Sequence, residues 1–176
     1  IELLIYSYVR REAVLSSQIE GTQSSLSDLL LFELEEAPGV PLADVRETSN
    51  AVDALLYGID QVGERGLPTS VRLMKGMQKR VTHGTRGGSL RPGEFRNGQV
   101  WLGGPTPAAA LFVPPPANEV PDAIAELERF IHTDESLSPL IQIGLTHVQF
   151  ETIHPFFDGN GRVGRMLITV MLYEAK

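Results

Sequence analysis

The densest chemistry in this chain lies just past Ile153, where His154, Pro155, Phe156, Phe157, Asp158, Gly159, Asn160, Gly161, Arg162, Val163, Gly164 and Arg165 follow one another. The segment has the anatomy of an anion site. One helix is expected to end near Ile153 and another to open at Gly159-Asn160-Gly161. The first amides of the second helix then lack intrahelical partners and sit at the positive end of its dipole, where phosphate fits. Glycines at 159 and 161 let oxygens approach the backbone without a Cβ in the way, while Asn160 tolerates unusual dihedrals and carries a side-chain donor. Arg162 and Arg165 stand three apart, so two guanidinium forks on the first helical turns can hold two different phosphate groups. His154 is the candidate base, because imidazole accepts a proton from an attacking hydroxyl close to neutral pH. Asp158 is a hard oxygen ligand suited to a Mg2+ shared with phosphate oxygens. Taken singly, a His beside Pro is a turn residue and two arginines on a helix face solvent. Taken together, the residues describe phosphoryl or nucleotidyl transfer.

Such a loop needs rigid elements on both sides, and helical periodicity dominates the chain. Val45, Thr48, Val52, Leu55, Ile59 and Val62 recur at alternating spacings of three and four, which predicts one long helix over Leu42–Val62 with a mostly apolar stripe. Further helices are expected at Leu3–Gln18, Leu26–Glu36, Ser70–Val81, Val120–Thr133 and Ser138–Ile153, with a last one from near Asn160 to the end. Ser70 and Ser138 are placed as caps, the second followed by Pro139 at a first helical position. Between His83 and Pro116 the pattern breaks. Asn97-Gly98 inside Glu94–Leu102 predicts a tight β-hairpin, and Pro114-Pro115-Pro116 a stiff extended connector. The fold class is therefore all-α with one short β-hairpin.

Composition narrows the setting. The chain has 176 residues, the length of one ordinary domain, and its formal charge of −7 argues against nucleic acid as a main partner. One basic stretch, Arg72, Lys75, Lys79, Arg80, Arg86, Arg91 and Arg96, opposed only by Glu94, reads either as a solvated helix face plus loop or as a rim around an anionic ligand. No apolar run is long enough to span a bilayer, so no membrane partner is expected. The absence of cysteine excludes disulfides and thiolate metal sites and is compatible with the cytoplasm, the expected location. The chain begins inside an apolar helix without Met and stops at Lys176 without a capping glycine, which suggests a piece of a longer protein.

From His154 to Arg165 the sequence resembles, position for position, the His-Pro-Phe-x-Asp-Gly-Asn-Gly-Arg-x-x-Arg motif of the Fic (Fic/Doc) family. The resemblance implies a Fic-type helical core over 37–176 and transfer of AMP from ATP to a Ser, Thr or Tyr hydroxyl of a target protein. It implies that His154 deprotonates that hydroxyl, that Asp158 holds Mg2+, and that Gly159, Asn160 and Gly161 bind phosphates through their amides. Arg162 would contact the α and β groups and Arg165 the γ-phosphate, with Phe156 anchoring the loop. The hairpin expected at about 92–103 looks like the Fic flap, in which Arg96, Asn97, Gly98, Gln99, Val100 and Trp101 would dock the target segment by strand addition.

Ser16-Ser17-Gln18-Ile19-Glu20-Gly21, inside the N-terminal helical segment 1–36, resembles the inhibitory Ser/Thr-x-x-x-Glu-Gly/Asn motif of many Fic proteins. The resemblance implies that Glu20, on one helix face with Ser16, pairs with Arg165 and keeps the γ-phosphate out. Rival readings are transfer of phosphate or phosphocholine, removal of AMP from a modified target, and a non-catalytic adaptor linked to DNA. Assembly as a homodimer is left open.

Overall fold

A computed structural model describes residues 2–36, 39–85, 91–133 and 137–175. Seven α-helices organise them: α1 (Glu2–Ile19), α2 (Leu26–Glu33), α3 (Leu42–Gly63), α4 (Val71–Val81), α5 (Val120–Thr133), α6 (Pro139–Ile153) and α7 (Asn160–Glu174), with a 3-10 turn at Pro107–Ala109. The apolar stripe on α3 explains its central place. Val45, Thr48, Val52, Leu55 and Val62 are buried, and α3 packs against α1, α2, α4 and α7. Gly58 lets the backbones close in, since a Cβ there would come within 2.7 Å of Val170 and 3.0 Å of Met77. The core continues through Met74, Met77, Ile124, Phe150, Ile153, Phe156, Val163 and Leu167, and so runs directly beneath the segment that joins α6 to α7.

Local signals place most boundaries. Ser70 caps α4 by accepting from the Leu73 amide, whereas Ser138 precedes Pro139 at the start of α6 without a side-chain cap bond. Helix α2 ends three residues short of the expected Glu36, and Glu35 turns into the left-handed region. Its start carries a capping box between Ser25 and Asp28 that the sequence reading did not single out.

The hairpin expected around Asn97-Gly98 is not formed. Neither residue has a positive φ, which the tight hairpin turn requires at both central positions. Among the described residues the only β pairing is an isolated antiparallel bridge, Leu102 with Phe112. The local preference is overridden because Arg96, just before the supposed turn, is drawn into the interior and is 2% exposed. Its backbone N–H donates to the Pro155 carbonyl at 2.9 Å, so the chain at this point follows the segment between α6 and α7 rather than itself. Arg96 therefore does not belong to a target-docking surface. Elsewhere in that stretch Lys75 lies over the Phe95 ring, Arg80 pairs with Asp53 and stacks on Tyr57, and Arg91 pairs with Glu94. Arg86 lies outside the described residues. No described helix is long and apolar enough to cross a membrane.

Candidate active site

The loop between α6 and α7 is shaped by two left-handed residues and one side-chain clasp. His154 ends α6 with φ 50° and ψ 61°, and Gly159 precedes α7 with φ 82°. Between them Phe156 is fully buried, its ring 5.7 Å from that of Phe95 and 6.4 Å from that of Phe150, which anchors the loop in the core. Asn160 closes the turn. Its Oδ1 accepts from the Phe156 amide at 2.9 Å and its Nδ2 donates to the Phe156 carbonyl at 2.8 Å. The Asn160 side chain is thus committed to the loop, and what it can offer an anion is its backbone amide. The first bond into the helix, Val163 N–H to the Gly159 carbonyl, leaves the amides of Asn160, Gly161 and Arg162 without intrahelical partners. These amides lie at the positions where the sequence predicts an anion cradle.

The two arginines of α7 meet different surroundings. The Arg162 side chain is 7% exposed, and its Nε and Nη1 have no hydrogen-bond partner among the described residues. The nearest carboxylates are Glu47 at 3.8 Å and Asp158 at 3.5 Å. A nearly buried guanidinium with two free donors fits an anion such as phosphate. Arg165 is engaged already. Its Nε donates to Ser16 Oγ at 2.7 Å, and its Nη2 to the Ser16 carbonyl at 3.1 Å and to Glu20 Oε1 at 2.5 Å. Glu20 follows directly on the last residue of α1, which Gly21 terminates with φ 96°. Its carboxylate lies against the bare backbone of Gly161, where a Cβ would come within 2.5 Å of Oε1. Ser16, Glu20 and Arg165, 149 and 145 residues apart, are therefore brought together at the mouth of the cradle.

Burial pushes the His154 imidazole below its ordinary value of 6.5, and the nearby Arg96 charge acts in the same direction. The Glu151 carbonyl and the Glu20 charge oppose this without reversing it. Burial thus favours the neutral ring, and its Nδ1 is buried without a hydrogen-bond partner among the described residues. Asp158 Oδ1 accepts from the Gly159 amide at 2.7 Å, and its carboxylate stays partly exposed at the edge of the loop. A single such carboxylate beside a phosphate cradle suits a Mg2+ that takes its other ligands from phosphate and water. No cluster of three potential ligands exists among the described residues.

Gln78, Glu47 and Glu151 escaped the sequence reading. Gln78, fully buried on α4, donates to the Asp158 carbonyl at 3.1 Å and accepts from the Gly93 amide at 2.5 Å, tying the loop to the chain before Arg96. The available signal was a polar residue on the otherwise apolar face of α4. Glu151 lies over Gly164, beside His147, with Oε1 buried and unbonded among the described residues. Burial raises its carboxyl above the usual 4.5. Gln99, Val100 and Trp101 follow Arg96 outside any helix or strand, and a groove lined by Leu102, Phe112, His147, Val148, Glu151 and Thr152 opens between the bridge and α6.

The Fic/DOC family model matches residues 68–172, and the model of the family's N-terminal region matches residues 1–60. The chain is 36% identical over 88 residues to the protein adenylyltransferase Fic of Drosophila yakuba, a stretch covering 49% of this chain and 16% of that protein. It is 40% identical over 65 residues to a probable protein adenylyltransferase of Aquifex aeolicus, covering 37% of this chain and 20% of that one. The matched region is thus a minor part of these relatives' own length. Among solved structures, a Fic domain containing signaling protein from Bacteroides thetaiotaomicron superimposes with a TM-score of 0.82 at 20% identity, covering 99% of this chain and 65% of that one. A Fic family protein from Desulfovibrio desulfuricans does so with a TM-score of 0.77 at 23% identity, covering 96% and 49%.

Proposed function

The chain belongs to the Fic/DOC family, and on that premise we propose that it transfers AMP from ATP to a hydroxyl of a target protein, held in check by Glu20. The observation that carries the reading is the pair of forks on α7, one with free buried donors and one filled by a carboxylate of this same chain. In the transfer, the neutral His154 ring takes the proton of the attacking hydroxyl. The hydroxyl oxygen then bonds to the α-phosphorus, and pyrophosphate leaves with its electron pair. The amides of Asn160, Gly161 and Arg162 and the Arg162 fork neutralise charge on the transferred and leaving groups. Asp158 would hold Mg2+, which when bound supplies charge neutralisation across adjacent phosphates. The relatives named as adenylyltransferases support the same chemistry.

Restraint follows from Glu20. A carboxylate on Arg165, lying at the bare start of α7, competes with the outermost phosphate for the same fork and the same dipole. For the target, the backbone amides of residues 97–101 make no backbone hydrogen bonds among the described residues, which leaves a polar edge for an extended segment. The docking edge comprises Asn97, Gly98, Gln99, Val100 and Trp101, and the buried Arg96 takes no part in it.

Incubation of wild type, Glu20→Gly and His154→Ala with labelled ATP, Mg2+ and a lysate tests both parts. We expect strong labelling by Glu20→Gly, weak labelling by wild type and none by His154→Ala. Equal labelling by wild type and Glu20→Gly would remove the inhibitory role. The mass added to the target separates AMP from phosphate or phosphocholine, and loss of AMP from a pre-modified target would identify the reverse reaction.

A further inference from the structure

Arg96 is a buried cation with no carboxylate partner among the described residues, which is an unusual state for a guanidinium. Every contact it makes is to a main-chain carbonyl. Nε donates to His154 O at 2.8 Å, Nη2 to Pro115 O at 2.5 Å and to Ile153 O at 3.3 Å, and Nη1 to Gly98 O at 3.1 Å. With its own amide on Pro155 O at 2.9 Å, the residue engages three consecutive carbonyls, those of Ile153, His154 and Pro155. These are the groups through which α6 hands over to the catalytic loop.

The reason for such a device lies in what His154 must do. It occupies the position after the last residue of α6, in the left-handed conformation that glycine adopts there at no steric cost. Any other residue is strained there. The chemistry needs an imidazole, so glycine is excluded and the turn must be held from outside. The carbonyls at a helix C-terminus lack intrahelical donors and favour a nearby positive charge. A planar fork can bridge carbonyls of two segments at once, whereas an ammonium group cannot match that geometry.

We propose that Arg96 is a positioning residue for His154: its guanidinium holds the carbonyls of Ile153 and His154 against Gly98 and Pro115 and thereby fixes the imidazole in its left-handed turn. A second consequence is electrostatic. Arg96 is a positive charge beside a buried imidazole, so it disfavours the imidazolium and keeps the ring a proton acceptor. The other charge acting on this ring is Glu20, in the opposite sense, together with the Glu151 carbonyl. The inference rests on the reading of His154 as the base, but half of it can be measured without any turnover.

The test uses Arg96→Lys and Arg96→Met, each in wild type and in the active Glu20→Gly chain. Titration of the His154 ring by NMR, identified by its disappearance in His154→Asn, reports the electrostatic part independently of activity. Arg96→Lys keeps the charge and loses the fork. Its kcat for AMP transfer should fall roughly tenfold to a hundredfold, with KM for ATP nearly unchanged and the His154 titration still low. Arg96→Met should also move that titration upward. A residue with a purely structural role would lower the melting temperature and leave kcat and the His154 titration at their parent values, which would overturn the proposal. Should Arg96→Met fail to fold, the kcat and KM of Arg96→Lys decide. If Glu20→Gly itself transfers no AMP, the functional reading fails, while an upward titration in Arg96→Met would still establish the control of His154.

Discussion

Arg96 and Arg165 stand at the two ends of the loop between α6 and α7, Arg96 bonded to its carbonyls and Arg165 to Ser16 and Glu20, and their partners differ in kind. Arg96 is 2% exposed and meets only neutral main-chain carbonyls, which are part of the scaffold and have no competitor. The Arg165 side chain is 19% exposed and meets a hydroxyl, a carbonyl and a carboxylate whose own side chain is 39% exposed. A guanidinium locked in carbonyls is a permanent fitting. One that holds a part-exposed carboxylate is less firmly committed, since a solvent-screened ion pair contributes only about 0.2–1 kcal/mol. Burial and the charge of the acceptors, rather than the residue type, separate a structural arginine from one available for control.

The largest expected effect comes from emptying the carbonyl cage. Arg96→Met leaves the carbonyls of Ile153, His154 and Pro115 without that donor in a buried setting, which should cost roughly 3 kcal/mol or more of stability, read as a lower urea midpoint. Glu20→Gly should cost about 1 kcal/mol by the same measurement while raising AMP transfer about fivefold. Equal stability losses in the two variants would erase the distinction between fitting and clamp. The active Glu20→Gly chain should retain transfer below pH 6.5, because the imidazole is held below that value and removal of Glu20 also removes a charge that favoured protonation.

Ser16→Ala tests a smaller part of the clamp. It removes the 2.7 Å bond to Arg165 Nε, worth about 1 kcal/mol, and should raise transfer up to about fivefold. The smallest effect is expected at Glu151. Burial raises its carboxyl above 4.5, with His147 and Arg165 opposing and Glu20 adding to the rise. A raised carboxyl lends stability below its unfolded value and loses it as pH climbs through the folded one. Glu151→Gln should therefore raise the melting temperature at neutral pH and leave it nearly unchanged near pH 4. In Glu20→Gly the Glu151 titration should move down, since one repelling carboxylate is gone.

Much of this architecture was legible from residue spacing because helices are local. The stripe on α3, the Ser70 cap and the opening of α7 at Asn160 each depend on residues within a turn or two of one another. The catalytic loop was legible for the same reason, its His154, Asp158 and arginines being contiguous. The hairpin at Asn97-Gly98 misled because a turn preference of modest size yields to the burial of Arg96 next to it. Gln78 and Glu151 stayed hidden because nothing near them in sequence indicates what they face.

The sequence by itself determined the helices and the turn between α6 and α7 that carries His154, since each is specified by neighbours within a few positions. The tertiary structure alone decided what each arginine meets. Arg162, Arg165 and Arg96 look alike as letters, but the first keeps open donors, the second holds a residue 145 positions away, and the third is enclosed by carbonyls 57 and 58 positions away. Such pairings depend on how α1, α6 and α7 pack together with the segment around Arg96, and on the desolvation that packing imposes, which no local spacing records.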